Sequence, residues 1–448
     1  ITTLNAPLAI ALALIDNLKS QIAKTAALGT VAFLDEDFFI KKSVRELLFD
    51  GYPDFLTKLA PILNPKIPFQ PSFGWMYGKN ETDDGLFVVN TGKADINRVN
   101  EIETLNGLPE LQFWSGSRCN SLKGAKNGEL FNPIPSIDRS LLLFRTNFCR
   151  VLSLAWNQTL QSKYGKLRVY RYFPADNSYA NSTDYPPNSC YKPNQNVSFA
   201  DIGDNDGDDV DIPTLLKRVK TLVNDTDVIE KLENLYMDFL ANGTQAFDLN
   251  ANISDHEWGK YRDYPSGVFD LSVCYFGAPV FISNPHFLKA DPYFLTTVSG
   301  LTPDPTLHQS YLDIEPQTGT PIELELRVQI NVHINQLASY FPKYWHMPRI
   351  HVPVLWQEFT IHATDDLAGD LHWKLTGPSI IATTISSVFV VIGVLTLLWV
   401  LSKPVMRRCK HNNGPVMVAD DDNAVGTCDT SALITDNNDH KDSQPVIT

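Results

Sequence analysis

Twenty-two consecutive residues, Ile380 to Leu401, carry no charged side chain, and no other feature limits the possible folds of this chain as strongly. At about 1.5 Å per helical residue the run reaches about 33 Å, enough to cross the hydrocarbon core of a bilayer. Buried helices of soluble proteins seldom run this long and this apolar, so a transmembrane helix is expected over 380–401. It divides the chain into residues 1–379 and a tail of residues 402–448. Lys403, Arg407, Arg408 and Lys410 follow the run closely, whereas Lys374 is the nearest charge before it. The preference of basic residues for the cytoplasmic side puts the tail in the cytosol and residues 1–379 outside the cell or in a lumen.

Glycosylation signals and cysteines agree with that orientation. Asn-x-Ser/Thr acceptors occur at Asn80, Asn157, Asn181, Asn196, Asn224, Asn242 and Asn252, all before the apolar run and none after it. Cys119, Cys149, Cys190 and Cys274 form an even set in the outer part, as an oxidising compartment favours, while Cys409 and Cys428 lie in the tail. A luminal domain of this size needs a signal or anchor ahead of it. The chain opens at Ile1 with no basic-then-apolar segment, so it is expected to be a C-terminal fragment of a longer membrane protein. A net charge of −14 argues against nucleic acid as a partner and suits a soluble, glycosylated exterior.

The outer part opens with helical signals. From Asn5 to Leu28, apolar side chains recur at positions 8, 11, 12, 15, 18, 22 and 26, which predicts a helix with one apolar face and Gly29 at its C-cap. Ser43-Val44-Arg45-Glu46 has the form of a capping box and predicts a second short helix, so residues 1–52 read as a helical unit. From about Pro65 short apolar runs are broken by Pro, Gly and Asn. The clearest strand is Ile322 to Asn335, apolar at every even position from Ile322 to Ile334 and polar at the odd ones. Strict alternation predicts one buried and one wet face in an antiparallel sheet. Leu167 to Phe173 and Leu86 to Asn90 read as further strands.

Residues 199–266 stand apart as an acidic, glycosylated insertion. Asp204-Asn205-Asp206-Gly207-Asp208 invites a calcium-loop reading, but with Gly207 at the sixth position the first and twelfth ligand positions fall on Ile202 and Pro213. A solvated acidic linker fits better, followed by helical spacing from Leu215 to Leu240.

Several stretches carry a family resemblance. The most specific are Ser283-Asn284-Pro285-His286-Phe287-Leu288-Lys289-Ala290-Asp291-Pro292 and Tyr311-Leu312-Asp313-Ile314-Glu315-Pro316-Gln317-Thr318-Gly319. Weaker ones are Val44-Arg45-Glu46-Leu47-Leu48, Asp84-Gly85-Leu86-Phe87 with Thr91-Gly92, Val169-Tyr170-Arg171-Tyr172 and Pro353-Val354-Leu355-Trp356. In kind and order they resemble the class B scavenger receptors, the family of fatty-acid translocase and lysosomal integral membrane protein two. The resemblance implies two membrane anchors and a mainly β ectodomain: an irregular antiparallel β-barrel capped by an apical helical bundle. An apolar tunnel would carry fatty acids, sterols or phospholipids toward the bilayer. It also implies disulfides Cys119–Cys190 and Cys149–Cys274, which the cysteine count alone leaves among three pairings. A third bridge of several relatives has no cysteines here.

No enzyme signature is present: ten histidines are scattered without a His-Glu-x-x-His pair, and no Gly-x-Ser-x-Gly elbow or phosphate-cradling glycine loop occurs. No cofactor or metal is expected. His346, His351 and His362 read as packing or capping groups, and His286, Asp313 and Glu315 as hydrogen-bonding groups at strand ends. The first fifty residues balance Lys19, Lys24, Lys41, Lys42 and Arg45 against Asp16, Asp35, Glu36, Asp37, Glu46 and Asp50, with no positive field to attract an anionic particle. They also hold no histidine of the kind that serves as a pH sensor in relatives that carry a lysosomal hydrolase.

In the polar tail, Asp429-Thr430-Ser431-Ala432-Leu433-Ile434 has the acidic dileucine form, a carboxylate for a basic patch and two aliphatics for an apolar pocket on a clathrin adaptor. Cys409, flanked by Arg407, Arg408 and Lys410, is a palmitoylation candidate. The expectation is a class B scavenger receptor that binds lipids or lipoproteins, moves lipid through its ectodomain and cycles between plasma membrane, endosome and lysosome. The alternative is a lysosomal sorting receptor that escorts a protein cargo.

Overall fold

A computed structural model describes residues 1–16, 36–57, 70–137, 140–192, 264–334 and 349–411, with single positions among the residues between. The chain divides into two compact units, Ile1–Leu375 and Thr376–Thr448. Residues 17–23 of the first helical pattern, the acidic run, Asn196, Asn224, Asn242, Asn252, His346 and the tail motif Asp429, Leu433 and Ile434 lie outside the described residues, as does the side chain of Cys409.

The opening unit mixes strands with its helices, a correction to the purely helical reading. Strand β1 (Thr2–Leu4) pairs with β2 (Phe39–Lys41), and α1 (Ala6–Asp16) lies between them in sequence. Asn5 caps α1, its Oδ1 accepting from the Leu8 N–H at 3.2 Å, and Pro7 sits in the first turn, where its missing donor costs nothing. Eight of the eleven α1 residues are buried, so the helix is enclosed rather than apolar on one face. The predicted second helix shortens to one wide turn, Glu46–Asp50. Its capping box is complete: the Ser43 N–H donates to Glu46 Oε2 at 2.9 Å, and the Glu46 N–H donates to Ser43 Oγ at 3.2 Å.

Two further small pairs follow, β3 (Tyr52–Pro53) with β4 (Ser72–Phe73) and β5 (Phe87–Val89) with β6 (Ile102–Leu105). The main sheet contains β7 (Leu141–Arg145), β8 (Arg150–Gln161), β9 (Arg168–Pro174), β10 (Val268–Asp270), β11 (Val280–Ser283), β12 (Tyr311–Glu315), β13 (Thr320–Ile334) and β14 (Ile350–His362). Its order is β10-β11-β13-β12-β9-β8-β7, with β14 on the other edge of β13, and every pairing is antiparallel. The order is open at β7 and β10, and no closed barrel forms among the described residues.

β13 organises this sheet. Its even residues pass one after another through the apolar clusters of the first unit. Ile322 packs with Leu167, Val169 and Ala368, and Leu324 packs against the cluster of Phe131, Leu154 and Tyr172. Val328, with Leu326 and Ile330, meets Trp114, Phe148 and Phe269; Val332 and Ile334 meet Leu8, Leu12 and Ile15 of α1. Each such side chain contributes about 1.5–3 kcal/mol when fully buried.

The odd face corrects the expectation of a wet side. Glu323, Arg327, Gln329 and Asn331 are all buried, with Asn331 at 0% exposure. The segment between β11 and β12, which includes the short helix α2 (Pro305–His308), supplies partners for Arg327 and Gln329, while Asn331 bonds Ser283 of β11 and Glu323 pairs with Lys163.

One edge of β13 changes partner midway. Glu325 is the last residue opposite β12 and Gln329 the first opposite β11, which leaves the Arg327 main chain without a strand partner on that edge, β14 lying on the other. The Ser310 hydroxyl fills the gap, accepting from the Arg327 N–H at 2.9 Å and donating to its carbonyl at 3.0 Å. A buried backbone group left unpaired costs comparably to a lost hydrogen bond.

The terminal helix α3 (Asp365–His411) starts fifteen residues before the expected span. Ala368, Leu371 and Leu375 belong to the cluster around Ile322, whereas the large apolar side chains from Ile380 to Leu401 are exposed. By length and composition α3 is one candidate membrane span.

Ser310→Ala is expected to lower stability by about 1–3 kcal/mol, because both Arg327 backbone groups lose their partner. Ser310→Thr, which keeps the hydroxyl, is expected to cost less. Denaturant midpoints of the detergent-solubilised chain read the difference, and equal midpoints for wild type and Ser310→Ala would refute the bridging role.

Candidate functional site

Both signature segments converge on the polar face of β13. Ser283 ends β11 beside Gln329, and its hydroxyl accepts from Gln329 Nε2 at 3.1 Å and from Asn331 Nδ2 at 3.0 Å. Gln329 Nε2 also donates to Asn331 Oδ1 at 2.8 Å, while Gln329 Oε1 accepts the His286 main-chain N–H at 2.8 Å. Arg327 donates from Nε to Glu358 at 2.6 Å, from Nη1 to the Gln309 carbonyl at 2.6 Å, and from Nη2 to Glu325. Donor is matched to acceptor across this face, which is the condition under which a buried polar network fixes one arrangement instead of destabilising it.

The second signature holds a cross-strand ion pair. Asp313 of β12 stands opposite Arg171 of β9, and the guanidinium grips both carboxylate oxygens at 2.7 Å while stacking 3.7 Å over the Tyr311 ring. Burial pushes the Asp313 carboxyl up, against the pull of Arg171, and the Asp313 hydrogen bonds push Arg171 up in turn. Glu315 closes the following turn by accepting from the Gln317 and Thr318 N–H groups at 2.9 and 2.8 Å. His286, Asp313 and Glu315 therefore act as hydrogen-bonding groups beside strand ends. Arg171 lay inside a weaker family stretch, but nothing in the local pattern marked it as the partner of Asp313.

A third group is aromatic. His333 and His351 face each other across β13 and β14 with ring centres 4.6 Å apart, and Tyr264, Phe281 and Phe294 surround His351 edge-on at 5.2, 4.6 and 5.4 Å. Burial holds His333 down to about 4, with Arg349 adding to the effect, and burial with His333 beside it holds His351 well below the usual histidine range. His351 thus packs in the core. His362 is exposed and stacks on Tyr164 at 4.7 Å.

The disulfides flank a buried cation. Cys119 is bonded to Cys190 and Cys149 to Cys274. Arg150 follows Cys149, with Tyr191 at 3.6 Å and Phe269 at 5.0 Å from its guanidinium, and its buried Nε makes no hydrogen bond. Burial lowers its pKa. Of the described acceptor asparagines, Asn80 and Asn157 are exposed and Asn181 is half-buried. Among the described residues no group of three His, Cys, Asp or Glu side chains could hold a metal ion.

An antiparallel sheet with two disulfides and a C-terminal helix long and apolar enough to cross a bilayer defines the class of protein: a candidate membrane protein. Residues 1–403 match the CD36 family model, and the chain belongs to that family. It is 26% identical over 339 residues to Scavenger receptor class B member 1 of Mus musculus, covering 75% of this chain and 52% of that relative. It is 25% identical over 394 residues to Lysosome membrane protein 2 of Rattus norvegicus, covering 88% and 66%, and 25% identical over 371 residues to that of Homo sapiens, covering 82% and 62%. The chain spans about half the length of the class B scavenger receptors it matches.

The histidine pair predicts a pH dependence with a definite sign. Below the ordinary histidine value near 6.5 the unfolded chain binds protons that folded His333 and His351 refuse, so their contribution to stability is present above 6.5 and is lost as pH falls toward about 4. Acidification from about pH 7 to about pH 5 is expected to destabilise wild type more than the variant His351→Phe, by on the order of 1–2 kcal/mol. Identical pH slopes of the unfolding midpoint for the two proteins would contradict it.

Proposed function

We propose that the chain is a class B scavenger receptor that binds lipids or lipoproteins and passes lipid through the apolar interior of its outer domain toward the membrane. The single observation that supports this most directly is the even face of β13. Its side chains run through four apolar clusters, and Ile10 and Trp75 pack against both the α1 cluster and the Trp114 cluster. Leu324, Leu326 and Ile330 remain partly accessible among fully buried neighbours, as residues lining a narrow apolar passage would. A β-barrel closed around an apolar tunnel and capped by an apical helical bundle is the fuller architecture attached to this reading. Family membership and the likeness to Scavenger receptor class B member 1 point the same way.

The remaining assignments belong to the same proposal. The tail after α3 lies in the cytosol, Asp429, Leu433 and Ile434 engage a clathrin adaptor, Cys409 carries a palmitoyl group, and the acceptor asparagines carry glycans in the lumen. The receptor cycles between plasma membrane and endolysosomes. A second reading, a sorting receptor that escorts a protein cargo to lysosomes, draws on the likeness to Lysosome membrane protein 2, which extends over 88% of this chain.

Replacing Leu326 and Ile330 by Trp fills the interior without adding charge. In cells expressing the chain, uptake of fluorescent fatty acid or sterol is expected to fall several-fold with surface abundance and disulfides unchanged. Unchanged uptake would sink the transport reading. Leu433→Ala with Ile434→Ala is expected to move the steady-state population to the cell surface; an unmoved population removes the tail motif from the account. Capture of one protein near neutral pH and its loss near pH 5, with no lipid uptake, would favour the escort reading.

A further inference from the structure

The signature segment and α2 meet in a pair of histidines. The His286 and His308 rings stack with centres 4.3 Å apart and planes within 13°. Each ring uses Nδ1 as an acceptor for a main-chain N–H: His286 takes the Thr302 amide at 3.0 Å and His308 takes the Asp304 amide at 2.9 Å. These two bonds close the segment between β11 and β12 on itself, while the His286 N–H ties the same segment to Gln329 on β13. A neutral imidazole has one acceptor nitrogen, and an imidazolium has none. Either bond therefore requires its ring to be neutral.

We infer that His286 and His308 form an acid-released clasp, which holds the 284–310 segment against the polar face of β13 at neutral pH and lets it go when both rings are protonated. Protonation turns Nδ1 into a donor facing a donor and sets two cations in van der Waals contact. The charged surroundings add little relief. Asp304, at the start of α2, favours the charged form of His308, whereas Arg327 of β13 opposes it together with burial and the neighbouring ring. On the same face Glu325 and Glu358 are engaged by Arg327 and Glu323 by Lys163, while His333 and His351, the latter packed on Phe294 of the segment, are pushed down by burial. Trp356 of β14 closes the stack edge-on at 5.8 Å from His308.

The backbone stores energy for the release. His286, Phe287 and Lys289 all have positive φ, +55°, +54° and +61°, a region that is unfavourable for residues other than glycine. The segment is held in this form by the clasp, by Gln329 and by the packing of Phe287 against Phe281 and Phe294. Release of the segment uncovers Phe287 and frees Gln329 Oε1 from the His286 N–H. The geometry is independent of the proposed function; only its use, a surface revealed in acidic compartments, rests on the cycling assigned above.

Hydrogen–deuterium exchange of the full chain in nanodiscs, corrected for the intrinsic effect of pH on exchange, tests the clasp. Peptides within 285–309 are expected to exchange about tenfold faster near pH 5 than near pH 7.4, while peptides from β12 and the following turn keep their rates. In the double variant His286→Asn with His308→Asn, whose side-chain oxygens accept without titrating, the excess of this acid response over that of β13 and β14, where His333 and His351 lie, is expected to vanish. No acid response in wild type, a response spread evenly over the domain, or one that survives in the double variant would overturn the clasp. Should the double variant fold poorly, His308→Asn alone is expected to keep the Asp304 amide slow near pH 5, and unchanged acid opening there would also overturn it.

Discussion

The described fold of the first unit depends on β13, a strand that is buried on both faces for different reasons. Its even residues lie on the apolar interior, so every cluster along the sheet is tied to one continuous backbone. Four of its odd residues, Glu323, Arg327, Gln329 and Asn331, are polar and equally hidden, and they are stable there because partners of matching donor or acceptor character or opposite charge meet them. One strand thus fixes the apolar interior and the position of the segment packed outside it. The edge of β13 that serves two neighbours is completed by Ser310, so even the change of partner leaves no backbone group orphaned at that point.

The signature stretches acquire a physical meaning in this setting. Ser283 and His286 anchor a turn to Gln329 and Asn331, and Asn284 closes that turn by donating to the Leu288 carbonyl. Asp313 and Glu315 pin β12, the first to β9 through Arg171 and the second to its own turn. These groups position the sheet around its interior. That division of labour suits a protein that handles apolar cargo, where the interior needs only apolar side chains and a precise wall, and where the polar chemistry is spent on holding the wall.

Much of this architecture is visible in the chain before any coordinates. The alternation from Ile322 to Ile334 predicts a long antiparallel strand, and Ser43-Val44-Arg45-Glu46 predicts a capping box that forms with both hydrogen bonds. The wet face predicted for β13 is wrong for a reason the residues hint at: its middle carries the amides Gln329 and Asn331, side chains that can satisfy one another, where a solvent face would favour Lys and Glu. Longer-range features leave no local trace. Arg171 lies 142 residues from Asp313, and His308 becomes legible only when α2 sets it on His286. Helical periodicity likewise cannot show that α1 is enclosed on most sides, because its neighbours come from β13 and from the Phe38 region.

The central claim is that the even face of β13 lines a lipid-carrying interior. Photo-crosslinking of the full chain in membranes with a diazirine-bearing fatty acid or sterol, followed by peptide mapping, tests it most directly. The account predicts adducts on the peptide holding Leu326 and Ile330 that unlabelled lipid competes away. Labelling restricted to the exposed apolar residues of α3, with none on β13, would contradict it.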